Sequence, residues 1–188
     1  RQTHQNSTRL VSLVSSLLNV AEIEEGKYLY RPTPAHIEIV VQSAIDSFRE
    51  KIKTKKIEFK FIKPKKELPK VAMDAEKMNI AVQNLLDNSI KYTLPHGKVM
   101  ISLKQKNGEV EFSIQDTGIG IPKDQQGKVF IKFFREARAK KIETEGSGLG
   151  LVIVKNIIEA HGGKIWFESK KDSGTTFYFR LPVFVASS

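Results

Sequence analysis

NLLDNSIKYT, residues Asn84 to Thr93, is the stretch whose reading decides the fold. At about 100° per residue, Asn84, Asn88, Lys91 and Tyr92 fall within one stripe roughly 100° wide. Met78, Val82, Leu85, Leu86 and Ile90 fill a neighbouring apolar stripe. The segment therefore predicts a half-buried helix with a dense polar edge, and Asp74 is its expected cap. A carboxamide oxygen suits a hard cation such as Mg2+, which keeps several waters and takes few protein ligands beside phosphate. Lys91, one turn further on, supplies a counter-charge for phosphate. A plain solvated face of Asn and Lys explains the same residues equally well.

Downstream, Val110, Phe112 and Ile114 alternate along a predicted strand that ends at Asp116, and DTGIGIP (Asp116 to Pro122) follows. A carboxylate at a strand end beside Gly118 and Gly120 can face a planar base. Adenine offers it an amino donor, whereas guanine offers an acceptor oxygen that it repels. That mismatch is worth about 1–3 kcal/mol, roughly tenfold to a hundredfold in favour of ATP over GTP. Further on, GSGLGL (Gly146 to Leu151) opens an apolar helix, LVIVKNIIEA, that His161-Gly162-Gly163 ends. Glycines before a helix bring backbone N–H groups close to phosphate, where the helix N-terminus favours negative charge. A dinucleotide-binding reading requires a strand just before such glycines, and KKIETE (Lys140 to Glu145) is charged and strand-poor. The sequence also contains no GxxxxGK[ST], HRD or DFG segment.

Together, NLLDNSIKYT, DTGIGIP, FIKFFR (Phe130 to Arg135) and GSGLGL resemble the N box, first glycine box, F box and second glycine box of the sensor histidine kinases. These kinases belong to the wider group of gyrase B, Hsp90 and MutL. The resemblance covers Pro34 to Val183 and includes the ending GTTFYFRLP (Gly174 to Pro182). It implies a Bergerat-type ATP-binding fold, an α/β two-layer sandwich with helices on one face of a mixed, largely antiparallel sheet. It also implies a set of site residues. Asn88 would ligate Mg2+, Asn84 and Lys91 would attend the phosphates, and Tyr92 would pack by adenine. Asp116 would bind the adenine amino group with Thr176 as a helper, and Arg135 would reach the phosphates from a lid. Gly118, Gly120 and Ile121 of one glycine box, and Gly146, Ser147, Gly148, Leu149, Gly150 and Leu151 of the other, would shape the pocket. ATP-hydrolysing relatives carry a glutamate at the position of Asn84 to activate water, and an amide cannot act as that base. The resemblance thus implies phosphotransfer to a histidine, with Asn84, Lys91 and Arg135 as its catalytic group. An ATP-driven conformational clamp and a non-catalytic nucleotide-sensing module are the alternatives.

The composition agrees with a soluble globular chain of 188 residues, 40% hydrophobic and 28% charged. No apolar run reaches the roughly 18–20 residues that span a bilayer. There are no cysteines, which excludes disulfides and thiolate metal sites and fits a cytoplasmic location. The net charge of +10 is spread over strands, turns and helices, with no aromatic-interleaved stripe, so nucleic acid is not an expected partner.

Leu10, Val14, Leu17, Leu18 and Ala21 form a helical stripe that resembles the second helix of a dimerisation hairpin. The reading divides the chain into residues 1–31, this helix and a linker, and 32–188, the catalytic domain. The two prolines within Lys27 to Pro34 mark the linker. His4, His36, His96 and His161 lack the context of a phosphoacceptor, and His161 is assigned to favourable placement at a helix C-terminus. The acceptor histidine is therefore expected on a hairpin of the same or a partner subunit, in a full-length homodimer that relays phosphate to a response regulator receiver domain. Further expectations are a helix through Ile37, Val40, Val41, Ala44, Ile45, Phe48 and Ile52, a strand through Ile57, Phe59 and Phe61, and a short strand near Val71. Hairpins are expected around Asn107-Gly108 and Asp172 to Gly174. Lys123 to Glu145 has few core signals and is expected to be a lid.

Overall fold

The computed structural model describes residues 14, 17–19, 21–23, 30–64, 66–135, 139 and 146–185. Strand β1 (Thr33–Ala35) leads into helix α1 (Ile37–Thr54), then strands β2 (Glu58–Ile62) and β3 (Val71–Met73). Helix α2 (Ala75–Tyr92), strands β4 (Lys98–Lys106) and β5 (Glu109–Asp116), helix α3 (Gly150–Ala160), and strands β6 (Lys164–Lys170) and β7 (Gly174–Pro182) complete the order. The sheet runs β2-β4-β5-β7-β6. Only β2 and β4 are parallel, because α2 carries the chain across between them; the other pairs are antiparallel.

Alternation sorts the sheet into two faces. Val99, Ile101, Leu103, Phe112, Ile114, Phe177, Phe179 and Leu181 face the helices and are buried. At the centre Phe112 stacks on Phe179 with ring centroids 4.6 Å apart. Val40, Val41 and Ala44 of α1, Val82, Leu85 and Leu86 of α2, and Ile153, Val154 and Ile157 of α3 close this core from the other side. Both expected hairpins form, with Leu103 opposite Phe112 and Phe167 opposite Phe177. Asn107 and Gly108 both adopt positive φ, as their tight turn demands. Trp166 points to the outer face, where it stacks on Tyr178 at 5.3 Å beneath the Arg180 guanidinium at 4.7 Å.

Three differences from the sequence reading concern connections. Thr33 and Pro34, placed at the linker end and start of the catalytic domain, pair with Met73 and Ala72 as an edge strand, a position that tolerates proline. Tyr30 also packs on the core, so the linker is partly built into the domain. The first part of the expected lid, Lys123 to Ile131, has anchors too short for periodicity to reveal. Gln126 donates to the carbonyls of Ile121 and Ser169, both at 3.0 Å. Val129 is buried, and Phe130 lies against Phe167. Residues 136–138 and 140–145 of that segment lie outside the described residues, as do His4 and Leu10. Val14, Leu17 and Leu18 are helical and exposed. No described helix is long and apolar enough to cross a membrane.

Candidate nucleotide site

Asp74 starts α2 by accepting the Lys77 N–H at 3.1 Å. The apolar stripe of the helix then enters the core, which leaves its polar edge beside the two glycine turns. Asn84 donates from Nδ2 to the Ile80 carbonyl at 2.9 Å. Its Oδ1 is thereby turned toward Gly150, where a Cβ would come within 2.7 Å of it. Any side chain at the first residue of α3 would therefore fill the space between the amide and the helix N-terminus. Asn88 stands half-buried one turn beyond Asn84, and Tyr92 half-buried another turn on. Lys91, expected to attend the phosphates, has its Nζ at 2.5 Å from Asp87 Oδ2, and Asp87 also pairs with Lys51. A carboxylate one turn earlier on the same face is the nearest counter-charge.

Asp116, at the end of β5, is 6% exposed. Its Oδ1 accepts the Gly118 N–H at 2.9 Å and the Thr175 N–H at 3.2 Å, and Oδ2 has no hydrogen bond among the described residues. Burial pushes the carboxyl up to about 6, with the two amides pulling the other way. The Ser89 hydroxyl of α2 lies close enough to lower it slightly, yet makes no hydrogen bond of normal length. The first glycine turn is pinned from outside the site: Ile121 N–H donates to Ser169 Oγ at 2.8 Å, and Asp172 N–H to the Ile119 carbonyl at 2.8 Å. Gly120 sits at φ +60°, and a Cβ there would lie 2.0 Å from the Lys170 carbonyl oxygen.

In the second glycine box, Ser147 Oγ accepts the Leu149 N–H at 3.2 Å. Leu149 itself is fully buried, so its side chain belongs to the core that backs this turn. Leu151 is half-buried and packs against the core. Phe133 N–H donates to the Gly148 carbonyl at 3.1 Å, and Arg135 Nη1 to the Gly146 carbonyl at 3.2 Å. Arg135 thus ties the middle of the expected lid to the glycine box that follows it.

Two assignments change. Asp116 pairs in register with Thr175, whose side chain is buried on the same face; Thr176 pairs with Gln115 and faces outward. Parity was the available signal, because Thr175 alternates with Phe177 and Phe179 whereas Thr176 alternates with Tyr178. His161 stands at the C-terminal end of α3 as expected, but hydrogen bonds rather than the helix dipole account for how its ring is held. Its Nε2 accepts the Asp74 N–H at 2.9 Å and its Nδ1 contacts the Ile157 carbonyl at 2.6 Å, so the proton sits on Nδ1 and the ring is neutral.

The family model for histidine kinase-, DNA gyrase B- and HSP90-like ATPases matches residues 73–184. The chain is 34% identical over 173 residues to the adaptive-response sensory kinase SasA of Synechocystis sp., covering 92% of this chain and 44% of SasA. It is 34% identical over 182 residues to the sensor histidine kinase WalK of Bacillus subtilis, covering 96% and 30%. It thus spans less than half the length of either relative. Among solved structures, the nucleotide-free catalytic domain of histidine kinase ThkA matches with TM-score 0.71 and 32% identity, over 81% of this chain and 96% of that one. Full-length ShkA in complex with AMPPNP matches with TM-score 0.82 and 26% identity, over 98% and 38%. ThkA in complex with the response regulator TrrA matches with TM-score 0.77 and 27% identity, over 96% and 49%. The chain belongs to the histidine kinase-, DNA gyrase B- and HSP90-like ATPase family, and within it the chain is similar to the catalytic domains of sensor histidine kinases.

Proposed function

We propose that this domain binds Mg-ATP and positions its γ-phosphoryl group for transfer to a histidine on a dimerisation hairpin, from which a response regulator receives it. The observation that carries the reading is Asp116, a buried carboxylate with one oxygen held by two backbone amides and the other left for a donor. The amino group of adenine is such a donor. Asn84 Oδ1 lies against the first residue of α3, where only glycine leaves room for it, and the α3 N-terminus beside it is proposed to supply backbone donors to phosphate. Asn88 is the proposed Mg2+ ligand, the metal being held mainly by phosphate oxygens and neutralising their charge. Lys91 is proposed to exchange Asp87 for phosphate, and Arg135 to turn from the Gly146 carbonyl to the same group. Asn84 carries no base for water, which favours transfer over hydrolysis. The resemblance to ShkA solved with AMPPNP and to ThkA solved with TrrA supports the nucleotide and the kind of partner.

The test is an assay with labelled ATP and the dimerisation hairpin supplied as a separate polypeptide. Label on the hairpin histidine, with little steady-state ATP hydrolysis, is the expected result. Hydrolysis without transfer would replace this reading with a conformational clamp. ATP binding with neither activity would leave a nucleotide-sensing module.

A further inference from the structure

Outside the nucleotide pocket, a small cluster joins the segment before β1 to both helices that line the pocket. His161 follows the last turn of α3 and is buried. Its Nδ1 donates to the Ile157 carbonyl on its own helix, and its Nε2 accepts the backbone N–H of Asp74, the cap of α2. Asp74 in turn accepts the Arg31 N–H on Oδ2 at 2.9 Å. Burial works to raise the Asp74 carboxyl, but the Arg31 and Lys77 amides outweigh it and hold it below its usual range. Tyr30 completes the cluster, its ring edge-on to the imidazole with centroids 5.3 Å apart. One neutral imidazole therefore fixes the end of α3 on the start of α2, and the same two residues hold Tyr30 and Arg31.

The far ends of this arrangement form the phosphate side of the pocket. The C-terminal end of α3 meets the N-terminal end of α2 at His161, while Gly150 at the other end of α3 meets Asn84. The two helices are thus antiparallel, and Asn84 lies ten residues beyond Asp74, about 15 Å along the axis. Packed helices move as rods, so a shift at the His161 end is carried to the contact between Gly150 and Asn84.

We propose that His161 is a positioning residue that couples the docking of Tyr30 and Arg31 to the nucleotide site, by setting the registry of α3 on α2. The proposal rests on the ATP-binding reading of that site. Coupling of this kind is reciprocal: a docked Tyr30 tightens ATP binding, and bound ATP tightens the docking by the same factor. The segment through which the domain joins the helix before it is then informed of nucleotide, and it influences nucleotide in return.

The test uses the 188-residue chain and ATP titrated by calorimetry. Tyr30→Ala should weaken ATP binding about fivefold or more. His161→Asn keeps a donor near the Nδ1 position but offers no acceptor to Asp74, and it should lose a similar factor. His161→Gln puts a carbonyl oxygen near the Nε2 position and should recover most of the affinity. The double variant Tyr30→Ala with His161→Asn should be no weaker than either single one, because both break the same connection. Amide exchange at Arg31 should slow when ATP is added to the unaltered chain and stop responding in His161→Asn. Should His161→Asn fail to fold, Tyr30→Ala alone carries the test. Unchanged ATP affinity in a folded Tyr30→Ala chain overturns the proposal. So does equal impairment of the Gln and Asn variants, which would mark a purely structural histidine. Failure of the unaltered chain to bind ATP would overturn the functional reading itself, and the proposal with it.

Discussion

Asp116 holds its carboxyl in a place that favours the neutral form, and that conflict has a direction. Its ordinary value is 3.8 and burial pushes it up to about 6. Between these values the folded chain keeps a proton that the unfolded chain has released. The stability this group contributes is therefore complete below about pH 4 and lost as the pH rises through about 6. A shift of this size corresponds to at most about 3 kcal/mol. Asp116→Asn keeps an oxygen for the Gly118 and Thr175 amides and removes the buried charge. It should stabilise the nucleotide-free protein at pH 7 by about 1–3 kcal/mol in urea unfolding. The same change should weaken ATP binding by about 1–3 kcal/mol, and ATP binding to the unaltered chain near pH 6 should release protons, seen as a buffer-dependent heat. A less stable Asn variant at pH 7 would contradict the origin assigned to the shift. Asn88 offers a second test. Asn88→Ala should remove most of the gain in ATP affinity that magnesium brings, with Mg-free adenosine binding unchanged, and an undiminished magnesium effect would place the ligand elsewhere. Both residues were legible in sequence because helix and strand periodicity fix which way they face. The partner of His161 was not, since Asp74 lies 87 residues away and only the folded chain brings the two together.

Among the elements, the hairpins and helices were the most legible, because inward residues repeat at two or near 3.6 along them. The connections were less so. Nothing in the spacing shows that Gln126 spans two carbonyls or that Thr33 to Ala35 forms an edge strand, since these are single contacts rather than repeats. Glycines illustrate the same point: their number is visible in the sequence, but what each one touches is not. Gly120→Ala meets both a positive φ and the Lys170 carbonyl, and it should cost about 2–5 kcal/mol in urea unfolding. Gly108→Ala, at φ +75° in a turn with open space around it, should cost only about 1 kcal/mol. Equal costs would mean that the first glycine turn yields, and that Lys170 does not hold it in place.

For the molecule as a whole, the two-layer architecture was readable from the order of helical and strand patterns, but the boundary of the domain was not. A division after residue 31 follows composition, whereas Tyr30 and the Arg31 amide are held by the ends of α3 and α2. We propose that the folding unit begins before Tyr30. A chain cut to start at Thr33 should then melt about 2–8 °C lower than the full chain, the loss expected from one hydrogen bond and one partly buried ring. An unchanged melting temperature would restore the boundary after residue 31. The outer face of the sheet has a different consequence. Trp166 is the only tryptophan of the chain, stacked on Tyr178 on the face opposite Asp116. Its emission should shift to longer wavelength as the sheet melts, and it should stay constant while nucleotide binds on the other side. The protein carries its own optical gauge of folding, independent of its ligand.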